Sequence, residues 1–350
     1  MYIDCMSILK KRTLVASAMF MVLFASFAYA TPKIPLGEEV RGIKLSGHLA
    51  GRKVYKLGAD INAPGCWQDS VQWTGEALYF GISSINFSEL ASGNGFKYKA
   101  ECKLPSVQED GRFDIYKATL ENGRWKLSNQ IKLNSVESDA AIGVDGANIA
   151  FIRFFSPPKS FDIYLSKKDE RGAWTPPYPY SYNSKCKEDN PILFDNGRKI
   201  IFESNRANPL GSRCERSSES MSLWFSKISE NGHWSEPTLL KGDPNKGEKN
   251  TQPWMDENSG YLYWTADKEG NAIKRVLFHE SHAMTGSEVV LSPNLLGLVN
   301  GSADGQIVFI GEYSEVNDYV FIACAEASQG GNFMKRWDID IDICVIPPNQ

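Results

Sequence analysis

A short pattern returns five times along this 350-residue chain: a turn glycine, followed four or five residues later by an aromatic residue that ends an apolar strand. The copies are GEALYF from Gly75, GANIAF from Gly146, GRKIIF from Gly197, GYLYW from Gly260 and GQIVF from Gly305. A β unit that recurs every ~45 to 70 residues buries its faces against like neighbours arranged radially. The sequence therefore predicts an all-β fold, a single β-propeller of five four-stranded blades, with six blades as the alternative.

The third copy shows the plan of one blade. Asp195, Asn196 and Gly197 are residues that accept the positive φ of a tight hairpin turn, so one strand ends there and the next follows over Lys199–Ser204. Apolar and polar residues alternate over Ser222–Ser229, which predicts a third strand. A turn and a short outermost strand complete the unit.

Three of the units carry a tryptophan two residues after a later turn glycine: Trp125, Trp174 and Trp234. The flat face of an indole suits stacking on a sugar or a peptide. A single ligand, however, does not need a tryptophan in every blade, so the recurrence favours packing between sheets.

The two ends of the predicted propeller domain both look like strands. The run RWDIDIDICVIPP alternates Ile339, Ile341 and Ile343, expected to face a core, with Asp338, Asp340 and Asp342, expected to face solvent. Arg52–Leu57 is a second apolar strand. We expect the N- and C-terminal strands to pair, since such a closure removes open sheet edges. The aspartates fit a charged sheet edge better than a cation site.

Residues 1 to 30 have the composition of a cleavable secretory signal. Lys10, Lys11 and Arg12 precede an apolar run, Leu14–Phe27, and small residues follow before Thr31. A retained membrane anchor is the alternative, although it needs about twenty apolar residues. We therefore predict a signal peptide at 1–30, a single propeller domain at 31–350 with no membrane span after cleavage, and a periplasmic or secreted location.

Six cysteines remain after residue 30, and an even number in an exported chain favours three disulfides. Fifteen connectivities are open. The simplest pairing joins sequence neighbours: Cys66 with Cys102, Cys186 with Cys214, and Cys324 with Cys344. No C-x-x-C motif occurs, which argues against zinc and against thioredoxin-type redox chemistry.

The chain is mildly acidic. Its formal charge is −4, and it becomes −6 without residues 1 to 30, which hold three basic residues and one acidic residue. Nucleic-acid binding needs a basic face, so it is not expected here.

The runs FESNRANPLGS, SLWFSKISENGHWSEPTLL and NTQPWMDENSGYLYWTADKEGNAIKR resemble the TolB-type, WD-like propeller repeat of exported bacterial proteins. The resemblance covers Trp67 to about Phe278. It implies a propeller that serves as an interaction platform, as a cell-envelope component or as the gating domain of a larger hydrolase. In this family the acidic residue before each repeat caps a turn.

Three units place an aspartate six to eight residues before the turn glycine: Asp69, Asp139 and Asp189. In a propeller this position begins the innermost strand, so the carboxylates could converge in a central funnel. Five-bladed glycosidases use such a set; here Asp69 would be the base and Glu203 or Asp189 the acid. The competing interpretation is that these aspartates accept hydrogen bonds from the N–H groups of their own turns. Trp67, Arg206 and Trp254 are candidate ligand-binding residues.

Other chemistry finds little support in the sequence. His279 and His282 are three residues apart after a strand, which does not match the H-E-x-x-H zinc pattern, so no metal site is predicted. No G-x-S-x-G elbow occurs and no cofactor is predicted.

Two hypotheses follow. The first is a monomeric, non-catalytic propeller that binds an envelope protein, a peptide or a glycan through its funnel mouth and through the insertions Ser84–Arg112 and Ala207–Ser220. The second is a five-bladed glycoside hydrolase that uses the funnel carboxylates.

Overall fold

A computed structural model describes residues 33–85, 102, 112–128, 132–154, 161–215, 221–246, 250–266, 271–293, 306–327 and 339–349. Most of the predicted insertion Ser84–Arg112 and residues 216–220 of the second one lie outside these ranges. Among the described residues no helix is long and apolar enough to cross a bilayer.

Five antiparallel sheets form the five blades, as predicted. Three short strands precede them: β1 (Glu39–Val40), β2 (Ile43–Leu45) and β3 (Val54–Lys56), with a 3-10 turn at Gly47–Leu49. In blades one to three, consecutive strands pair in chain order from the channel outward. Blade one contains β4 (Trp67–Trp73), β5 (Ala77–Ser83), β6 (Asp114–Glu121) and β7 (Arg124–Ser128). Blade two contains β8 (Ser138–Asp145), β9 (Asn148–Phe154), β10 (Phe161–Lys167) and β11 (Tyr178–Pro179).

Blade three matches the plan read from the sequence, with β13 over the expected residues and a slightly shorter third strand. It contains β12 (Glu188–Phe194), β13 (Lys199–Ser204), β14 (Ser222–Lys227) and β15 (Thr238–Leu239). A second 3-10 turn, Asp243–Asn245, leads to blade four. Blade four contains β16 (Asn250–Asp256), β17 (Tyr261–Ala266), β18 (Ala272–His279) and β20 (Glu288–Pro293), with β19 (His282–Ala283) paired to β18. Blade five contains β21 (Gln306–Val316), β22 (Tyr319–Ala327) and β23 (Ile339–Ile346).

The N-terminal strands complete blades four and five, which confirms the predicted closure. β2 pairs with β20 at the edge of blade four, while β3 pairs with the C-terminal strand β23 and β1 pairs with β3. The segment between Ile43 and Lys56 therefore joins the last two blades to each other. The ring closes without leaving β23 as an open edge.

One detail of the closure differs from the prediction. Asp342 was expected to face solvent, yet it is buried, and its carboxylate lies 3.0 Å from the Lys56 ammonium of the neighbouring strand. Lys56 also contacts Glu326 at 2.5 Å. Alternation predicted the outward direction of Asp342 correctly, but β3 covers that face with a lysine that pairs with it. Ile341 and Ile343 are buried as expected.

The three cysteine pairs are those of sequence neighbours. Cys66 bonds to Cys102, Cys186 to Cys214 and Cys324 to Cys344. The last bond links β22 to β23, the strand on which the ring closes.

The recurring tryptophans pack between blades. Trp174 of blade two lies edge-on to Tyr79 of blade one, and Trp234 of blade three lies edge-on to Tyr180 of blade two. Trp125 is 6% exposed and belongs to the core shared by blades one and five. Packing, and not ligand contact, explains why they recur.

A second recurring residue was not recognised in the sequence. Four asparagines stand four or five residues before an innermost strand, and each amide brackets the backbone of a third strand by donating to its C=O and accepting from its N–H. The pairs are Asn62 with Ile343, Asn134 with Ile115, Asn183 with Ile163 and Asn245 with Leu223. These amides anchor the connections between blades.

Candidate functional site: the central channel

The innermost strands β4, β8, β12, β16 and β21 surround the channel, and each of them breaks register at a corresponding β-bulge, while β21 has a second break between Ile307 and Phe309. At each of the five corresponding bulges a residue other than glycine has positive φ: Ser70, Ala141, Asn190, Gln252 and Glu312, with φ between 42° and 61°. Such backbone is costly for these residues and persists only where the surroundings hold it. By register the five bulges lie at one level of the propeller, and at Ser70 and Glu312 the side chain reaches the neighbouring blade.

Neighbouring inner strands are not hydrogen-bonded as a sheet, so side chains join them. Ser70 Oγ accepts from the N–H of Ala141 at 2.9 Å, and Ser314 Oγ accepts from the N–H of Trp73 at 2.9 Å. Two carboxylates also join neighbouring blades. Glu312 accepts from the N–H of Val71 at 3.1 Å, and Glu203 accepts from the N–H of Gln252 at 3.5 Å. Part of the acidic character of the channel is therefore structural.

Asp69 and Glu312 form a carboxyl pair between blades one and five. Asp69 accepts from its neighbour Ser70 N–H at 2.9 Å and from the Trp67 indole at 3.1 Å, and it is hydrogen-bonded to Glu312. A hydrogen bond between two carboxyl groups requires a proton. Burial raises the pKa of Asp69, and burial together with the charge of Asp69 raises the pKa of Glu312 well above its ordinary value. Burial and the closeness of the two carboxyl groups thus both oppose a second negative charge on the pair.

Asp189, Glu203 and Lys187 form the matching cluster on blade three. Asp189 pairs across strands with Glu203, accepts from its neighbour Asn190 N–H at 3.0 Å and lies 2.9 Å from the Lys187 ammonium. Burial, and then the charge of Asp189, raise the pKa of Glu203 to about 7. The charge of Asp189 raises the pKa of Lys187, whose ammonium also lies over the Phe161 ring at 4.5 Å.

Asp139 does not join these carboxylates. By register it corresponds to Glu188 and not to Asp69 or Asp189, because the bulge of blade two begins one residue later. It is fully buried, ion-paired with Arg153 at 2.7 Å and bonded to Ser135. These bonds use the Asp139 carboxylate to hold the connection into blade two. Asp139 is therefore not part of the candidate functional site.

The Arg206 guanidinium is also occupied by contacts within the protein. Its side chain and that of Glu188 are both 0% exposed and lie 2.7 Å apart, and the guanidinium also donates to the carbonyls of Tyr182 and Pro209. A ligand has no surface of Arg206 to contact. We therefore do not retain it as a ligand-binding residue.

Trp67 and Trp254 both border the channel, at different levels. Trp67 is partly exposed at the start of β4, lies edge-on to Phe113 at 4.9 Å and packs beside Ala323 and Ala325 of blade five. Trp254 is 6% exposed and packs edge-on against Tyr263 and Tyr313. Of the two, Trp67 is the one beside the carboxylates, since its indole N–H donates to Asp69 at 3.1 Å.

Two cavities lie along the channel below the carboxylates. A chamber of about 30 Å³ at the level of the bulges is lined by residues including Asn190, Gln252 and Glu312. A cavity of about 530 Å³ lies at the other end, where the inner strands turn back, and residues such as Glu76, Glu257 and Lys168 line it. Trp254 lines both. The larger cavity is thus separated by the bulges from the carboxyl clusters.

Within the described residues, no group of three or more His, Cys, Asp or Glu side chains has the geometry to hold a metal ion. His279 and His282 face each other across the short hairpin of β18 and β19 and are not buried.

No protein-family model matches the chain, and no curated protein matches it. Solved structures that resemble it include TolB from Acinetobacter baumannii, at 12% identity and TM-score 0.41 over 100% of this chain and 72% of that one. A gluconolactonase from Xanthomonas campestris matches at 10% identity and TM-score 0.40, over 89% of this chain and 98% of that one. A beta-fructofuranosidase from Bombyx mori matches at 9% identity and TM-score 0.46, over 83% and 64%. These values carry no argument about a ligand or a reaction.

Glu312 and Lys187 were missed in the sequence. Lys187 lies two residues before Asp189, so its proximity on a strand was available as a signal. Glu312 gave none, because the aspartate pattern of the first three units is absent from the fifth, where Gly311 stands at the position of Asp69.

Proposed function

We propose that this chain is an exported, non-catalytic β-propeller that binds a ligand at the end of its channel bordered by Trp67, Asp69 and Lys187. The observation that carries the proposal is the arrangement of four carboxyl groups from blades one, three and five around the channel, each fixed by at least one hydrogen bond. Polar groups that are fixed in advance lower the entropy cost of binding.

The hydrogen bonds also explain why binding is preferred to catalysis. A general acid or base must direct an oxygen at the reacting atom. Both oxygens of Asp69 already accept bonds, from Ser70 and from Trp67, and Glu203 accepts from Asn190 and from Gln252. These contacts suit groups that hold the channel in shape and present fixed partners to a ligand.

Access and surroundings support a ligand at this end. Asp69 and Trp67 are partly exposed, and the side chains of Lys187 and Asp189 are 31% and 13% exposed. An envelope protein, a peptide or a glycan fits the proposal, as does a monomer located in the periplasm or outside the cell. Three disulfides agree with an oxidising compartment.

The proposal is tested by screening purified protein against a glycan array and a peptide library, followed by titration calorimetry on the best ligands. Trp67→Ala and Asp69→Asn should each weaken binding at least tenfold, because the indole N–H fixes the Asp69 carboxylate at 3.1 Å and Asp69 is itself a charged hydrogen-bond acceptor. Glu230→Gln, on an exposed turn of blade three, is the control and should bind like wild type. Ligands that bind both channel variants with the same affinity as wild type would refute a binding role for this site.

Glycoside hydrolysis is a second candidate, favoured by one observation. A carboxyl group with a pKa of about 7 at Glu203, across the strand from Asp189 and on the channel that also holds Asp69, is protonated enough at neutral pH to act as a general acid. Turnover of any glycan that disappears in both Asp69→Asn and Glu203→Gln would establish this function in place of simple binding.

A further inference from the structure

The larger of the two cavities lies at the end of the channel where the inner strands turn back, away from Trp67 and Asp69. Its volume of about 530 Å³ is within the range of small-molecule binding sites. Its lining includes buried apolar residues, among them Ile192 and Trp254, each 6% exposed. A ligand in this cavity can therefore bury apolar surface as well as meet the polar groups beside it.

The polar part of the lining is mainly acidic. Glu76 of blade one, Asp145 of blade two, and Asp256 and Glu257 of blade four all line the cavity. Glu76 and Glu257 are exposed, so they stand where the cavity meets solvent. Lys168 is the only lysine or arginine among the described residues that line it. Negative charge on the walls of a cavity raises the local concentration of cations.

Two of these carboxylates are held in place without being neutralised. Asp145 Oδ2 accepts from the N–H of Gly197 at 2.7 Å, and Glu257 Oε2 accepts from the N–H of Asp195 at 2.8 Å. The second oxygen of each carboxylate has no hydrogen-bond partner in the part of the chain that the structure describes. Glu76 forms neither a hydrogen bond nor an ion pair with any described residue. Carboxylate oxygens from three blades are thus available to a ligand.

The charges around the cavity repel one another. Burial, together with the charges of Asp145 and Asp195, raises the pKa of Glu257 above its ordinary value. Burial, followed by the charge of Lys117, lowers the pKa of Lys168. One ammonium group does not neutralise four carboxylates, so the lining carries an excess of negative charge. A cation bound in the cavity would relieve that repulsion.

The arrangement of the carboxylates favours an organic cation over a metal ion. Within the described ranges no three His, Cys, Asp or Glu side chains have the geometry to hold a metal. The carboxylates come instead from different blades and lie around an apolar surface. Two ammonium groups separated by methylene groups match this pattern, because the ammonium groups donate to separate carboxylates while the methylene groups cover the apolar surface.

We propose that this cavity binds a linear aliphatic diamine or polyamine, whose ammonium groups pair with Glu76, Asp145 and Glu257 and whose methylene chain lies on Ile192 and Trp254. This site lies at the opposite end of the channel from the site of the proposed function, and the two proposals stand independently. A neutral chain of the same length leaves the carboxylates unpaired, and a monoamine pairs with fewer of them.

Titration calorimetry on the full chain after export tests the proposal, with spermidine, diaminohexane, aminohexane and hexanediol as probes. Spermidine and diaminohexane should bind more tightly than aminohexane, and hexanediol should show no measurable binding. The affinity for diaminohexane should fall as salt is added, because salt screens the ion pairs at the mouth of the cavity.

Variants of the lining locate the binding. Glu76→Gln and Glu257→Gln should each weaken diaminohexane binding about three- to fivefold, and the double variant about tenfold or more. Lys168→Met, which removes the cation from the lining, should strengthen binding about threefold. Glu230→Gln removes the same charge from an exposed turn of blade three, and it should bind like wild type. Melting temperatures of the variants should stay close to that of wild type, since Glu76 and Glu257 are exposed and glutamine keeps a carbonyl acceptor for the N–H of Asp195.

Three results would each overturn the proposal: no binding of either amine, an unchanged affinity in the double variant, or weaker binding in Lys168→Met. A loss in Glu230→Gln equal to that in Glu76→Gln would also overturn it, because the attraction would then come from the net charge of the protein. None of these results bears on the proposed function, whose test depends on Trp67→Ala and Asp69→Asn at the other end of the channel.

Discussion

At the scale of single residues, the channel shows how one side chain can serve the fold and a site together. Glu203 joins blade three to blade four through the N–H of Gln252, and it stands beside the charge of Asp189. Burial and that charge make its proton hard to remove. The same proton then affects stability, because the folded state binds it more tightly than the unfolded state does.

The pH dependence of stability follows from this shift. The pKa of Glu203 is raised from 4.5 to about 7, so its contribution to the free energy of unfolding is complete below about pH 4.5 and is lost as the pH rises to 7. Glu203→Gln should remove this component, reducing the loss of stability between pH 5 and pH 8 by about 2 kcal/mol. Urea unfolding across this range measures it. A slope unchanged from that of wild type and of Glu230→Gln would contradict the prediction.

At the scale of elements, the repeat depends on polar residues as much as on the apolar strands. Glycine turns and aromatic strand ends define the blades, while the bracketing asparagines fix each connection to a third strand. Asn183, for example, accepts from the N–H of Ile163 at 2.9 Å and donates to its carbonyl at 2.8 Å. The Ile163 carbonyl also accepts from the N–H of Tyr180 at 2.9 Å, so the amide of Asn183 extends the backbone contacts at this end of β10.

Loss of one bracket should therefore be costly. Asn183→Ala leaves the buried N–H of Ile163 without this partner, while its C=O keeps the bond from the N–H of Tyr180, and we expect the free energy of unfolding to fall by about 1 to 2 kcal/mol. Asn258→Ala, on an exposed turn of blade four, is the matched control and should change it by less than about 0.5 kcal/mol. Chemical denaturation of both variants makes the comparison. Equal effects would mean that the bracket adds nothing to stability.

At the scale of the whole molecule, closure of the ring joins residues that are far apart in sequence. Lys56 on β3 meets Asp342 on β23 and Glu326 on β22, beside the bond between Cys324 and Cys344. His48, between β2 and β3, contacts Glu315 of blade five at 3.2 Å and Arg275 of blade four at 2.9 Å. The N-terminal segment thus holds the last two blades together by side-chain hydrogen bonds as well as by strand pairing.

Two lysines of this segment allow a matched test of the closure. Lys56→Met leaves the buried carboxylate of Asp342 without its cation and should cost about 3 kcal/mol. Lys53→Met removes an exposed pair with Glu39, in which the side chains are 60% and 44% exposed, and should leave the stability nearly unchanged because solvent screens the pair. Thermal and urea unfolding should separate the two variants clearly. A loss of similar size in both would argue against a stabilising role for the buried pair.

The sequence by itself determined the fold class and the pairing of N- and C-terminal strands, and it favoured the five blades and the cysteine pairs that the structure shows, with six blades and other connectivities left open. Those features depend on local turns, on the alternation of apolar and polar residues and on proximity along the chain, and all of these are visible in the amino-acid sequence. It also predicted Asp69, Asp189 and Glu203 at the channel, since their positions follow from the start of an inner strand or the end of the next.

Only the tertiary structure decided which carboxylates meet. A bulge that begins one residue later removes Asp139 from the channel, and a positive φ at Glu312 brings a carboxyl from the last blade onto Asp69 of the first. Neither event has a local signature, because register and contacts between blades depend on residues more than two hundred positions apart. The same holds for Asp342. It lies on the side of β23 that was expected to face solvent, but β3 covers that side and Lys56 pairs with the carboxylate.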